Sequence, residues 1–122
     1  PESMTNFRRM EKWIFDSPGQ AGEAFRQFIK DCYQENKLIK GELVIGNNTV
    51  NLKNITMPLL NMLALYDHLV PPSATRPLND AVGSVDKELM EYPVGHIGMY
   101  VSSRAQKEVA PKLSSWLLER SK

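Results

Sequence analysis

The spacing of hydrophobic residues changes along this chain, and each spacing predicts a different element. Between residues 20 and 35 the apolar positions recur with the period of an α-helix. Five residues follow this period: Ala24, Phe25, Phe28, Ile29 and Cys32. Because they share one face, we expect a packed helix here. An apolar and aromatic stretch at residues 10–15 and a turn at 16–19 precede it.

A polar segment further along the chain separates two short apolar runs. The runs are residues 43–45 and 50–52, and the segment between them is Gly46-Asn47-Asn48-Thr49. Adjacent asparagines tolerate a positive φ angle, so this pattern predicts a tight hairpin.

Apolar residues then become nearly continuous from 59 to 66, which is typical of a parallel strand covered on both faces. Residues 86–92 are predicted to form a second strand. Between the two, Ser73 is suited to cap a short helix from about Ala74 to Val82, and Gly83 is suited to end it.

The last segment has a helical period again, with Val109, Leu113, Trp116 and Leu117 on its inner face. Pro111 predicts either a helix that begins near Ala110 or a kink at that point. Strand, helix, strand and helix in this order are typical of the end of a doubly wound parallel sheet. We therefore expect an α/β fold class.

Composition narrows the classes of function. Fifteen Lys and Arg against 14 Asp and Glu give a net charge of +1. The chain therefore lacks the excess of positive charge that is typical of proteins that bind nucleic acid. The apolar run at 59–66 is far too short to cross a bilayer core of roughly 30 Å. With no leader-like segment and one cysteine, Cys32, the sequence favours a cytoplasmic protein without a transmembrane segment or an internal disulfide.

Candidate chemistry lies just after the two predicted strands, at Asp67 and His96. In open α/β sheets, catalytic groups lie beyond the carboxyl ends of the strands. A histidine can take a proton from a hydroxyl or a thiol, and a neighbouring carboxylate fixes its tautomer. The pair is therefore typical of the acid and histidine of an α/β-hydrolase triad. Gly95 and Gly98 are expected to let the chain turn tightly around the ring, and we interpret His68 as a solvent-facing loop residue.

Longer motifs around these two residues resemble one family. They are YDHLVPP (66–72), GHIGMYVS (95–102), DSPG (16–19), FRQ (25–27), ENKL (35–38) and WL (116–117). In this combination the chain resembles the catalytic subunit of polyhydroxyalkanoate synthases, most closely the two-subunit class III type, over almost its whole length.

The resemblance implies the C-terminal part of an α/β-hydrolase fold. That part would contain a partial parallel sheet with flanking helices, preceded by a lid-region helix and a short hairpin. Residues 1–38 would form the end of the lid, and residues 39–122 would form the closing part of the catalytic core.

The resemblance also implies a reaction, in which a cysteine attacks a 3-hydroxyacyl-coenzyme A thioester and holds the growing polyester on its sulfur. By match of motif, His96 is the base for the thiol. Asp67 is the carboxylate that orients His96 or that assists deprotonation of the incoming 3-hydroxyl. No cofactor is implied besides the coenzyme A thioester substrate. A homo-oligomer, a companion synthase subunit and a location at the polyester granule surface are further implications.

The chain departs from this family in one respect, because it has no nucleophile elbow with a glycine-framed cysteine or serine. Cys32 lies on the apolar face of a predicted helix, and we interpret it as a core residue. We therefore expect the C-terminal third of such a synthase, inactive alone. Two alternatives stay open: the end of a serine α/β-hydrolase such as an esterase, and a non-catalytic module that associates with itself through an uncovered sheet edge.

Overall fold

The computed structural model describes residues 2–121 and contains helices, two small sheets and short turns. The chain is therefore of the mixed helix-and-strand class that the sequence predicts. It divides into two compact units, of which the first ends at Asn36 and the second begins at Lys37. Within residues 2–121, no helix is long and apolar enough to span a bilayer.

The first unit consists of helices. α1 spans Glu2–Phe15, and α2 spans Gly22–Phe28 and continues directly into a π-helical turn at Ile29–Gln34. The helix predicted from the period of residues 20–35 is therefore present, although its second half is wound more widely than an α-helix.

The apolar face of this helix is not packed as predicted. Phe25 is 52% exposed and Phe28 is 50% exposed, while the buried residue of the π-helical turn is Asp31. Phe28 meets Tyr33 edge to face, with ring centroids 5.2 Å apart. The helical period thus identified the element correctly, but the prediction that its apolar face is covered is wrong in the described chain.

The second unit opens with one helical turn, α3 (Lys37–Lys40), followed by the predicted hairpin. Its strands, β1 (Val44–Ile45) and β2 (Asn48–Thr49), pair antiparallel. The positive φ angle predicted for the asparagines lies instead on Gly46, at 61°, where a glycine has no Cβ to clash. Asn48 consequently belongs to the second strand rather than to the turn.

Two parallel strands form the second sheet of this unit, as predicted. β3 (Leu59–Ala64) and β4 (Lys87–Tyr92) pair in a register that places Leu59 opposite Lys87 and Ala64 opposite Tyr92. β3 is the more deeply buried strand, with Leu63 and Ala64 only 5% and 3% exposed.

The chain between these strands forms two short helices instead of the single helix predicted. α4 spans Pro72–Thr75 and α5 spans Leu78–Ala81. Pro77 stands immediately before α5 and has no N–H to continue the hydrogen bonding of α4, so the helix is interrupted there. Ser73 is not the cap that the sequence predicts, because it lies inside α4, whose N-cap residue is Pro71.

Asn61 joins the sheet to both of these helices. This residue of β3 is 6% exposed, and its amide nitrogen donates to the carbonyl oxygen of Thr75 at 3.0 Å and to Oδ1 of Asn79 at 2.8 Å. A buried polar group without such partners would be costly. The single polar residue in an otherwise apolar strand therefore anchors the helices that lie against it.

Gly83 ends the helical segment for a reason that the sequence did not indicate. Its φ angle is not positive, but a Cβ at this position would overlap the carbonyl oxygen of Lys53. Lys53 lies in the 3₁₀ turn Leu52–Asn54, and its Nζ donates to the carbonyl oxygen of Asp80 at 3.1 Å. Close approach of two backbones, rather than a left-handed cap, explains the glycine.

Three successive helical pieces complete the chain. They are α6 (Gly98–Val101), a π-helical turn (Ala105–Val109) and α7 (Ala110–Arg120). Of the two outcomes predicted from Pro111, the structure has the first, since α7 begins at Ala110. Ser102 precedes the π-helical turn, and its Oγ accepts a hydrogen bond from the N–H of Ala105 at 3.0 Å, as an N-cap does.

The inner face predicted for α7 is correct in part. Val109 and Trp116 are buried, at 6% and 9% exposure, whereas Leu117 is 49% exposed. Arg120 attaches the end of α7 to the start of β4, because its Nε and Nη2 donate to the two carboxylate oxygens of Asp86 at 2.7 and 2.8 Å. The guanidinium also lies 4.2 Å from the ring centroid of Trp116.

Candidate active site

The two predicted site residues meet at the carboxyl end of the parallel strands. Beyond the strand ends the backbone pairing continues, with the N–H of Leu65 bonded to the carbonyl of Tyr92 and the N–H of Tyr66 bonded to the carbonyl of Val94. Asp67 directly follows Tyr66, and His96 follows Val94 after one glycine. His96 Nδ1 and Asp67 Oδ2 are 2.7 Å apart, a strong hydrogen-bond distance.

Both oxygens of the Asp67 carboxylate are engaged. Oδ1 accepts the backbone N–H groups of Leu69 at 2.9 Å and Val70 at 2.8 Å, and Oδ2 faces the imidazole. The carboxylate side chain is only 9% exposed, whereas that of His96 is 39% exposed. The turn after β3 therefore holds the carboxylate in one orientation, and the ring is left accessible on its other side.

The turn itself supplies two donors that the sequence pattern did not single out. An aspartate whose side chain accepts N–H groups two and three residues further on forms an Asx-type turn, and Asp67 followed by His68, Leu69 and Val70 fits that spacing. The sequence could have indicated these two donors, because an aspartate in a turn commonly accepts the N–H groups of the residues two and three positions after it. His68, by contrast, is exposed, as expected of a loop residue that faces solvent.

The surroundings favour the ionised form of Asp67. Burial alone would raise its pKa, but hydrogen bonds from Val70, His96 and Leu69, together with the charge of His96, lower the pKa below its ordinary value of 3.8. A carboxylate oxygen can only accept a hydrogen bond, so this contact assigns the hydrogen of neutral His96 to Nδ1, which donates it, and leaves the lone pair on Nε2. Within residues 2–121, no group forms a hydrogen bond with Nε2. The ring is thus set to act as a base.

Gly95 and Gly98, which flank His96, do not provide the tight turn that the sequence predicts. Neither Gly95 nor Gly98 has a positive φ angle. A Cβ on Gly95 would stand 3.7 Å from the carbonyl oxygen of Tyr66, which is an ordinary contact, whereas a Cβ on Gly98 would press on Val94 at 3.2 Å. Gly98 therefore allows α6 to lie close to Val94, and Gly95 has no steric need to be glycine.

A half-open groove of about 520 Å³ begins at this pair. Apolar side chains form most of its wall, among them Met62, Val70, Met99, Tyr100, Val109 and Leu113. Asp67 is the one carboxylate and His96 the one basic side chain among the described lining residues, and Gln106 adds an amide. A groove of this kind suits an uncharged, largely apolar chain. The sequence reasoning did not identify the α6 and π-turn residues of this wall.

Other candidate groups do not join this site. Cys32 is partly buried in the π-helical turn of the first unit and does not lie between a strand and a helix, as a nucleophile elbow requires. Among the residues that the structure describes, no three His, Cys, Asp or Glu side chains cluster in a way that could hold a metal ion.

No protein-family model matches the chain. Individual proteins are nevertheless similar over nearly its whole length. Over 120 residues it is 58% identical to the poly(3-hydroxyalkanoate) polymerase subunit PhaC of Allochromatium vinosum, with 98% of this chain and 34% of that protein covered.

Two further relatives have the same name. The PhaC subunit of Synechocystis is 55% identical over 118 residues, which cover 96% of this chain and 31% of the relative. The PhaC subunit of Thiocystis violacea is 54% identical over 121 residues, with 99% and 34% covered. The chain thus spans about a third of the length of these relatives, in their C-terminal part. It is a homologue of the poly(3-hydroxyalkanoate) polymerase PhaC subunits over that third, as the motifs around Asp67 and His96 predicted.

Proposed function

We propose that this chain is the C-terminal portion of a polyhydroxyalkanoate synthase of the α/β-hydrolase fold, which polymerises 3-hydroxyacyl-coenzyme A thioesters. The observation that supports this most is the Asp67–His96 pair, 2.7 Å apart at the carboxyl ends of two parallel strands. It occurs in a chain that is 58% identical to a protein named as such a polymerase. The relatives favour this function over the esterase alternative.

His96 acts as the general base in this proposal. Its Nε2 takes the proton of a cysteine thiol, which the preceding part of the polypeptide supplies. The thiolate adds to the carbonyl carbon of the thioester, so that a new S–C bond forms and the C–S bond to coenzyme A breaks. The coenzyme A sulfur leaves with the proton that His96 returns. Asp67 keeps the ring in the tautomer that can accept the proton and stabilises the imidazolium.

The remaining parts of the proposal concern the rest of the chain. Residues 1–38 end the lid region, and residues 39–122 close the catalytic core. The reaction needs no cofactor apart from the coenzyme A of its substrate. The synthase forms a homo-oligomer at the surface of polyester granules, and its partner in the class III type is a companion subunit.

The experiment is a hybrid polymerase, in which the part of the A. vinosum PhaC that precedes the matched segment is joined to this chain. We expect His96→Ala to abolish release of free coenzyme A from 3-hydroxybutyryl-coenzyme A, because His96 is the one basic side chain among the described residues that line the groove. His68→Ala is the matched control, since His68 is exposed and lies one residue from Asp67. The His68→Ala hybrid should release coenzyme A at the rate of the unmodified hybrid.

Two outcomes would contradict the proposed function. One is a hybrid that releases coenzyme A equally well with and without His96. The other is a hybrid that folds, binds the substrate and transfers the acyl group to water without ever forming polymer.

A further inference from the structure

Gln106 is the one amide side chain among the described residues that line the groove beside His96. It belongs to the π-helical turn Ala105–Val109, and its backbone N–H donates to the carbonyl oxygen of Ser102 at 3.2 Å. Its side-chain amide, by contrast, forms no hydrogen bond with any residue between 2 and 121. The amide therefore depends on water, or on a bound molecule, for its hydrogen bonds.

The wall around this amide is apolar and has room beside it. Ala105 and Ala110, which line the groove on either side of Gln106 along the chain, have the shortest side chains of the wall. Val109 and Leu113 add larger apolar side chains to the same wall. An extended molecule that lies in the groove can therefore come close to the amide.

A molecule that fills the groove also removes water from Gln106. An amide N–H that loses its water without gaining another acceptor is costly, and a hydrocarbon chain offers no acceptor. A polyester chain has a carbonyl oxygen in every repeat unit and no N–H or O–H group between its ends. Such a chain can accept a hydrogen bond from the amide while its methylene groups contact the apolar wall.

The other uncharged polar groups of the wall discriminate less between these two kinds of chain. They are the hydroxyl groups of Thr75 and Tyr100. A hydroxyl can rotate its single hydrogen toward another acceptor, whereas the planar amide of Gln106 carries two N–H donors in fixed directions. Tyr100 is moreover 78% exposed, so water remains available to its hydroxyl.

We propose that Gln106 binds the polyester chain, with its side-chain amide nitrogen donating a hydrogen bond to an ester carbonyl oxygen. Gln106 is then a specificity-determining residue, which favours a chain with ester groups over a hydrocarbon chain of the same length. It takes no part in proton transfer, which His96 and Asp67 perform. The identity of the chain as a 3-hydroxyalkanoate polyester rests on the proposed function, whereas the preference for a chain with acceptors does not.

The experiment measures binding to the hybrid polymerase by calorimetry, with two uncharged probes. One is the O-acetylated methyl ester of a linear 3-hydroxybutyrate trimer, and the other is the methyl ester of a saturated fatty acid of equal chain length. Neither probe is a thioester, so their binding does not require acyl transfer, and release of coenzyme A is measured separately. A hybrid that binds the trimer through Gln106 but forms no polymer would count against the proposed function and not against this contact.

Two variants remove the donor in different ways. Gln106→Met keeps the length of the side chain without its N–H groups, and Gln106→Glu keeps its shape but replaces the nitrogen by an oxygen. Each should weaken binding of the trimer about three- to tenfold, the usual contribution of one hydrogen bond. Gln106→Met should bind the fatty-acid ester at least as tightly as the unmodified hybrid does. Lys107→Met is the matched control, because Lys107 is the next residue of the same turn, is exposed and does not line the groove.

Three outcomes would overturn the inference. The first is an equal loss of affinity for both probes in Gln106→Met, which would indicate packing rather than a hydrogen bond. The second is an equal effect of Lys107→Met and Gln106→Met on the trimer. If neither probe binds to the hybrid, the titration is repeated with this chain alone, which contains every residue of the groove. Absence of binding there as well is the third.

Discussion

At the scale of single residues, Asp67 performs two tasks with its two oxygens. Oδ1 accepts two backbone N–H groups and fixes the turn after β3, and Oδ2 faces His96 Nδ1 at 2.7 Å. The family resemblance leaves two roles for this carboxylate, namely orienting His96 or assisting deprotonation of the incoming 3-hydroxyl. The short contact with the ring favours the first.

A kinetic measurement separates these roles. In the hybrid polymerase, Asp67→Asn retains an oxygen for the turn but offers an amide N–H to Nδ1, so the ring hydrogen moves to Nε2 and the base is lost. We expect the first acylation of the cysteine, measured in a single turnover, to slow about 10²–10⁴-fold. If the first acylation keeps its rate and only chain extension fails, Asp67 acts on the incoming hydroxyl instead.

Gly83 is the second residue whose substitution has a clear outcome. Gly83→Ala would place a methyl group against the Lys53 carbonyl oxygen, and the two backbones would have to separate. We expect a loss of about 1–3 kcal/mol in the free energy of unfolding, measured by urea titration. Gly95→Ala is the matched control, because a Cβ there makes an ordinary contact. An equal effect of the two substitutions would contradict the close approach at Gly83.

At the scale of elements, α7 and β4 are joined through Arg120 and Asp86. The hydrogen bonds from Arg120 lower the pKa of the Asp86 carboxyl below 3.8, although burial opposes them, and the same contact raises the pKa of Arg120. A carboxyl with a lower pKa in the folded state stabilises the fold at pH values above its unfolded pKa. This contribution is lost as the pH falls through the folded pKa.

The resulting prediction concerns acid unfolding. Arg120→Met keeps an apolar contact with Trp116 but removes the partner of Asp86, so the midpoint of acid unfolding should move to higher pH. The midpoint can be followed by circular dichroism between pH 5 and pH 2, a range chosen around the Asp86 pKa. Arg26→Met is the control, because the Arg26–Glu23 pair is far more exposed. Equal midpoints for Arg120→Met and the unmodified chain would show that the contact contributes nothing.

Much of the element order followed from the sequence, because periodicity is a local property. The continuous apolar run of β3 and the turns after both strands were sufficient to predict that Asp67 and His96 lie at the same end of the sheet. Interactions between distant segments were not predictable in this way. The carbonyl oxygen that requires glycine at position 83 belongs to Lys53, 30 positions away in sequence, so no local pattern reveals it. Ser73 is not a cap because α4 already begins at Pro72.

At the scale of the whole molecule, the described chain leaves much apolar surface uncovered. Val85 is 98% exposed, Leu69 75% and Leu118 68%, and no large side chain among residues 4–121 is fully buried. The indole N–H of Trp116 is buried without a hydrogen-bond partner among the described residues.

The chain contains the base His96 and its carboxylate Asp67, but no nucleophile elbow from which a thiol could be presented to them. We expect no release of coenzyme A from 3-hydroxybutyryl-coenzyme A above the buffer background, measured with a thiol reagent. Cys32→Ser provides the control, because the thiol of Cys32 would itself react with the reagent. Sustained turnover by either form would contradict both the assignment of the missing nucleophile and the interpretation of Cys32 as a structural residue.

The π-helical turn at Ala105–Val109 has a consequence for the length of the C-terminal segment. Such a turn holds one residue more than an α-helical turn, and one residue corresponds to about 100° of rotation around a helix axis. Because the π-helical turn holds its extra residue within about the rotation of one α-helical turn, deleting one of these residues would leave a regular helix with Trp116 and Arg120 still on the side of the sheet. Adding a residue between Ser102 and Pro111 would instead rotate α7, so that Trp116 and Arg120 would face away from the sheet. The segment should therefore tolerate the loss of one residue better than the gain of one.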